Sequence, residues 1–187
     1  MVGMGRAPRG HGVLGVESAD PVLSFLSALG LAQAAGTALV IDLCGDVTLR
    51  TGRTLADIAE DGPELGELSP GRSGVALLTC GPLHVVESVP VVEALAPNWP
   101  AVVVRCQSGQ WPGPTVPVRA LLPGLLQPAG QSPAVWQPLA PGVRPSGPGP
   151  ILPRLRGAMV RRLLAGRVDR RSRWVSAWEP VWAMPWA

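Results

Sequence analysis

The sequence predicts an α/β fold: a mainly parallel sheet with helices on both faces, followed by a Pro-rich linker and a basic, Trp-rich tail. Three observations carry that expectation. The runs "GVLGV", "TALVID", "VALLTCGP" and "AVVVRC" are near-continuous Val, Leu, Ile and Ala of strand length, the pattern of strands covered on both faces. A helix-length segment separates the first two, and a strand, helix, strand series of this length closes as a right-handed unit with parallel strands. Beyond "PVRALLPGLLQP" the prolines accumulate, and "QPLAPGVRPSGPGP" reads as an extended connection.

Taken in order, residues 1–11 are a flexible N-terminus, 12–137 the domain, 138–150 the linker and 151–187 the tail. After "GVLGV", Asp20 offers an N-cap side chain and Pro21 occupies a first-turn position, so a helix can run through Val22, Phe25, Leu26 and Leu29 to a stop at Gly36. "TALVID" is the second strand. Thr54 followed by Asp57 opens "TLADIAEDG" as a short capped helix ending near Gly62. A polar loop around "ELSPGRSG" leads into "VALLTCGP", and "VESVPVVEALAPN" is helical only in pieces because Pro90 interrupts it. "AVVVRC" is the fourth strand, and a further short one is placed at "PAVWQ".

A chain of 187 residues is long enough for one domain of moderate size and a tail. Gly and Pro number 23 and 22, and all 16 basic residues are Arg, the pattern of a GC-rich coding bias. No lysine-based mechanism is available. The first residues, "MVGMGRAPRGHG", hold no apolar core of a signal peptide, and the 3 cysteines are odd in number and widely spaced, so a cytoplasmic chain with reduced thiols is expected. Residues 21–41 are uncharged, but Gln33, Gly36 and Thr37 interrupt them and suit a helix, turn and strand better than a membrane span. Residues 1–143 carry 7 Arg against 11 acids, a net of −4, while residues 144–187 carry 9 Arg against Asp169 and Glu179, a net of +7. The two parts are therefore expected to meet different partners.

Aligned on its glycine and on Asp42, "GLAQAAGTALVIDLCGD" resembles the MinD and ParA group of deviant P-loop ATPases, and "LADIAEDG" and "VALLTCGP" resemble the next landmarks of that group, including its CpaE and TadZ branch. The resemblance spans roughly residues 12–127 and implies a P-loop NTPase-like fold. The departures decide the activity. Where the family holds a glycine-rich phosphate loop with lysines, this chain has "GVESADPV", and only Gly15 remains. Glu17 and Asp20 would repel a triphosphate, Pro21 removes an N–H, and no lysine replaces the one lost. Asp42 matches the first family aspartate, but Cys44 stands where a second would orient water, and Arg105 stands where the fourth strand should end in a metal-supporting aspartate. A pseudo-ATPase that binds no cofactor is expected, with a fold kept for its surfaces.

Two further constellations are weighed against plainer explanations. Cys44, Cys80 and Cys106 each follow a strand, so a parallel sheet puts them along one edge with His84 near, as in a thiolate and imidazole metal site. No C-x-x-C pair pre-organises ligands, and buried cysteines commonly fill space, so no metal is expected. Nucleophilic catalysis finds no G-x-S-x-G turn at Ser18 or Ser73, and His11 lies in the N-terminal segment.

The tail carries the interaction expectation. "LPRLRGAMVRRLLAGRVDRRSRW" lines up Leu155, Met159 and Leu163 and surrounds them with Arg154, Arg156, Arg161, Arg162 and Arg167, while Trp174, Trp178, Trp182 and Trp186 recur every four residues. Trp and Arg are the anchors of protein interfaces. The reading is a non-catalytic accessory or scaffold protein that positions or assembles a larger machine through this tail, as a homo- or hetero-oligomer. The alternative is a peripheral membrane or nucleic-acid adaptor using the same Arg and Trp, and the plainer explanation is an Arg-rich tail that folds back on the acidic domain.

Overall fold

The computed structural model of the protein describes residues 11–46, 52–68, 74–124, 132–165 and 171–187. Arg167, Ser73 and residues 1–10 of the expected N-terminal segment lie outside them. Six strands form one sheet: β1 (Gly12–Glu17), β2 (Ala38–Asp42), β3 (Val75–Thr79), β4 (Ala101–Arg105), β5 (Thr115–Leu121) and β6 (Val135–Pro138), in the order β3-β2-β4-β1-β5-β6. Every pairing is parallel, so the expected fold class holds: this is an α/β fold of the Rossmann or P-loop kind.

The strand residues divide by alternation between two cores. Ala101 and Val103 of β4 pack in one with Val16 and Val40, and Val102 and Val104 pack in the other with Leu39 and Ile41. The second face is covered by α2 (Leu55–Asp61) and α4 (Val85–Leu95), through Ile58, Val92 and Leu95. The helix α2 starts as expected, with the Thr54 hydroxyl accepting from Asp57 N–H and the Asp57 carboxylate accepting from Thr54 N–H. The expectation that Pro90 breaks the next helix is corrected: α4 is continuous. A proline costs the helix one backbone bond, here to the carbonyl of Val86. Pro90 and Val86 are both exposed, while Ser88, Val92 and Leu95 on the opposite side are buried, and that burial outweighs the loss.

The first face is covered by α1 (Pro21–Ala35), which Asp20 caps through Leu23 N–H at 2.8 Å and Gly36 closes. Its buried residues point in all directions, from Leu23 and Leu26 to Ser27 and Gly30. A helix apolar all round needs two covers. The sheet is one, and the other is the C-terminal segment, which corrects the expectation of a tail standing off the domain. The helix α5 (Gly157–Leu164) contributes Leu163, α6 (Arg173–Ser176) contributes Trp174 and Val175, and the turn that follows adds Trp178 and Val181, all in the same core as α1. At Gly30 a Cβ would stand 2.5 Å from the Trp174 ring and 2.6 Å from Trp178 Nε1, so only glycine leaves room for the two indoles. Trp182 Nε1 donates to Leu31 O at 3.0 Å, and Ala187 O accepts from Thr115 N at the start of β5.

The expected linker does not act as a spacer either. Ala134 N donates to Pro148 O and Trp136 N to Pro150 O, so residues 148–150 run alongside β6 in the same direction. The buried Gln137 of β6 accepts from Trp174 Nε1 at 2.7 Å and donates to Pro138 O and Pro153 O, fastening the sheet to the C-terminal segment. His11, expected in a mobile segment, donates its N–H to Pro100 O and rests its ring 5.0 Å from that of Trp182. Among the described residues no helix is long and apolar enough to cross a membrane.

Candidate functional site

In an open parallel sheet, ligands bind beyond the carboxyl ends of the strands, where neighbouring connections diverge. Here that edge is where β2, β4 and β1 lie side by side, and Asp42, the last residue of β2, is in register with Arg105, the last of β4. Two residues singled out from the sequence are thus brought into contact across 63 positions of chain. Arg105 Nη1 lies 3.0 and 3.1 Å from the two oxygens of Asp42, and both side chains are fully buried.

Every N–H of the guanidinium is occupied. Nε donates to Ser24 Oγ at 3.2 Å, Nη2 to Pro21 O and to Asp46 Oδ2 at 2.9 Å each, and Nη1 also pairs with the Asp46 carboxylate. The ring of Phe25 lies beneath, its centre 5.6 Å from Cζ. Burial works against the charge, but the Asp46 hydrogen bond and the Asp42 carboxylate outweigh it, and the pKa of Arg105 is raised. A planar fork with five fixed donors suits two carboxylates, a hydroxyl and a carbonyl at once. The group therefore ties β4 to β2 and to the first turn of α1 across the carboxyl edge of the sheet.

The first turn is closed in the same manner. The helix N-terminus, a natural anion site, is met by the carboxylate of Asp20, and Asp20 N in turn donates to Ser18 Oγ. Glu17 is half-buried nearby. Gly15, the one glycine left of the phosphate-loop pattern, serves packing: a Cβ there would meet Thr115 Oγ1 at 2.8 Å and Trp111 Cδ1 at 2.9 Å. Its closeness is to β5 and the preceding loop.

Cys44, Cys80 and Cys106 do lie along this edge, as free thiols. Burial pushes the Cys106 thiol up to about 12 and that of Cys44 to about 11, and raises Cys80 as well. Such thiols stay protonated at neutral pH, which makes poor nucleophiles and poor metal ligands. His84 stands apart, exposed at the start of α4 with its N–H donating to Glu87. Among the described residues no group of three His, Cys, Asp or Glu could hold a metal ion.

The expected interaction residues separate into two sets. Trp174 and Trp178 are only 3% and 0% exposed, so they are core residues and not anchors for a partner. Trp182 and Trp186 are half-buried, and Trp186 Nε1 donates to Val181 O. Arg154, Arg161 and Arg162 are exposed. Spacing by four makes one stripe only on a continuous helix, which Pro180 and Pro185 oppose; α6 ends at Ser176 and the chain continues as a 3-10 turn over Glu179–Ala183, so the rings point in different directions.

Sequence reasoning missed Asp46, Ser24 and Phe25 around Arg105. The available signal was the position of Arg105 itself: a charge ending a strand of buried valines must find carboxylates inside the fold, and "DLCGD" supplies two in one short turn. No protein-family model, curated protein or solved structure matches the chain.

Proposed function

We propose that this chain is a non-catalytic accessory or scaffold module related to the MinD and ParA group, acting through protein contact without a nucleotide cycle. The observation that supports it most is Arg105, buried and fully hydrogen-bonded between Asp42, Asp46 and the first turn of α1. An enzyme of this fold keeps that region open for phosphate and metal, whereas this chain fills it with its own ion pairs. Admitting a nucleotide would mean stripping a buried guanidinium of its partners, a cost of several kcal/mol, before facing the carboxylates of Glu17 and Asp20. The surfaces left for work are those of the covering helices, and the protein would serve in positioning or assembling a larger machine.

The test is calorimetric titration with ATP and Mg²⁺. We expect no saturable heat; a micromolar dissociation constant, equivalent to about 8 kcal/mol of binding, would overturn the reading. A second reading, a peripheral adaptor for membrane or nucleic acid, is favoured by one observation, the exposure of Arg161 and Arg162 on α5. It predicts binding to phosphate-bearing surfaces that falls steeply as salt rises.

A further inference from the structure

At the far border of the sheet, past β6, the chain adds one more rung. Trp136 of β6 forms a parallel bridge with Ile151, through Trp136 N to Pro150 O and Leu152 N to Trp136 O, each at 2.9 Å. In a strand successive residues turn their backbone groups to alternate sides, so these two bonds leave the N–H and C=O of Ile151 directed away from the sheet. That makes Ile151 the outermost rung, 54% exposed. Pro153, two residues on and in phase with Ile151, offers no N–H, so Ile151 is the last outward donor in that direction.

A groove of about 710 Å³ opens beside that rung. Its floor includes Met159 and Trp174, and its rim carries Arg154, Arg156 and Arg173. All three arginines are exposed. Among the described residues none of the three rim arginines takes part in an ion pair, in contrast to Arg53 and Arg105. The volume lies within the range of about 300–1,000 Å³ usual for binding clefts.

Resting on the protein-contact reading above, we infer that this groove receives an extended acidic peptide segment of a partner. Its backbone pairs with the N–H and C=O of Ile151, its carboxylates meet Arg154, Arg156 and Arg173, and apolar side chains between them settle on the half-buried Pro153 and Met159. An extended chain suits this geometry because alternate side chains, about 7 Å apart on one face, let carboxylates and apolar groups go to opposite walls. Strand addition to a sheet edge supplies affinity through the main chain and specificity through side-chain pockets. Guanidinium groups take carboxylates in paired bonds. A phosphate-bearing ligand also satisfies arginine, but it brings no donor for the Ile151 carbonyl, which an amide backbone does.

The test uses the full chain and a fluorescein-labelled dodecapeptide alternating Glu and Val, followed by anisotropy. We expect saturable binding with a dissociation constant on the order of 100 μM or tighter. The Arg154→Glu, Arg156→Glu double variant should weaken it by about tenfold or more, with an unchanged thermal melt because both side chains are exposed. A peptide of the same sequence N-methylated at alternate residues keeps its charge and should also lose about tenfold. The inference is overturned if the peptide does not saturate, if methylation leaves its affinity unchanged, or if a 12-nucleotide oligothymidylate or phosphatidylserine vesicles bind as tightly as the peptide. Salt-sensitive self-association abolished by the double variant would assign the groove to a second copy and overturn it too. Titrating ATP and Mg²⁺ into the same samples separates the two claims: silence toward both ligands ends the groove inference alone, while peptide binding beside micromolar ATP binding supports the groove and ends the nucleotide-free reading.

Discussion

At the carboxyl edge of the sheet Arg105 is fully buried and gives every N–H to Asp42, Asp46, Ser24 and Pro21, while beyond β6 Arg154, Arg156 and Arg173 stand exposed, none of them in an ion pair among the described residues. The same side chain is used for opposite ends. A buried guanidinium must be matched by carboxylates or it unfolds its surroundings, so Arg105 belongs to the fold. An exposed one costs little and holds its donors in readiness. The chain thus holds one arginine inside the carboxyl edge of its sheet and keeps three others exposed beyond the lateral edge strand β6.

The largest effect should come from removing the segment that joins the two regions. A chain ending at residue 150 loses Leu152, Leu163, Trp174, Val175, Trp178 and Val181 from one core, and each buried aromatic is worth about 3–5 kcal/mol, against a whole stability of about 5–15 kcal/mol. We expect no cooperative thermal transition and exposed apolar surface by dye binding. A cooperative melt would mean that the C-terminal segment is an appendage after all.

A paired substitution breaks or sharpens the arginine contrast itself. Arg105→Leu leaves Asp42 buried and unpaired and should cost about 3–5 kcal/mol in urea denaturation. Arg154→Leu should change stability by no more than about 0.5 kcal/mol. Equal effects at the two positions would erase the contrast. Next in size, Gly30→Val drives two methyl groups toward Trp174 and Trp178 and should cost about 1–3 kcal/mol, with a shift in tryptophan fluorescence that reports the displaced indoles.

Much of the fold was legible because it is local. The valine-rich strands, the Asp20 cap and the reciprocal Thr54 and Asp57 bonds depend on residues a few positions apart, and the structure forms each where the sequence placed it. No strand is expected from the sequence at "TVPVRAL", and a proline inside a run argues against one; in the sheet Pro117 stands opposite Glu17, the last pair with β1, where little pairing is given up. The C-terminal segment was misplaced for a different reason. Four tryptophans at a spacing of four look like a surface stripe, and the fact that decides otherwise lies 144 positions earlier, in Gly30 beneath Trp174. A signal existed in α1, whose sequence has no charged face to show to water. Asp42 and Arg105 were each noticed as departures from a nucleotide site, yet their pairing depends on β2 and β4 being neighbours, which no spacing reveals.

The smallest effect concerns a half-buried carboxylate and gives a pH test. Backbone and side-chain hydrogen bonds from Thr54 hold the Asp57 carboxyl below its usual range. A depressed pKa means that the folded state favours the ionised form, so this contribution is present above the unfolded value near 3.8 and is lost as pH falls through the lower, folded one. The difference in urea midpoint between the wild-type chain and Asp57→Asn should therefore be visible at neutral pH and shrink in acid.

The central claim is that Arg105 and Asp42 form a closed structural pair where a nucleotide site would be, and a double-mutant cycle tests it most directly. Urea unfolding of the wild-type chain, Asp42→Asn, Arg105→Leu and the double variant gives the coupling between the two positions. Because each single change strands a buried partner, the double variant should be less destabilised than the sum of the singles by about 1–3 kcal/mol. Effects that add to within about 0.5 kcal/mol would contradict the account, since side chains held 3.0 Å apart in a buried core cannot act independently.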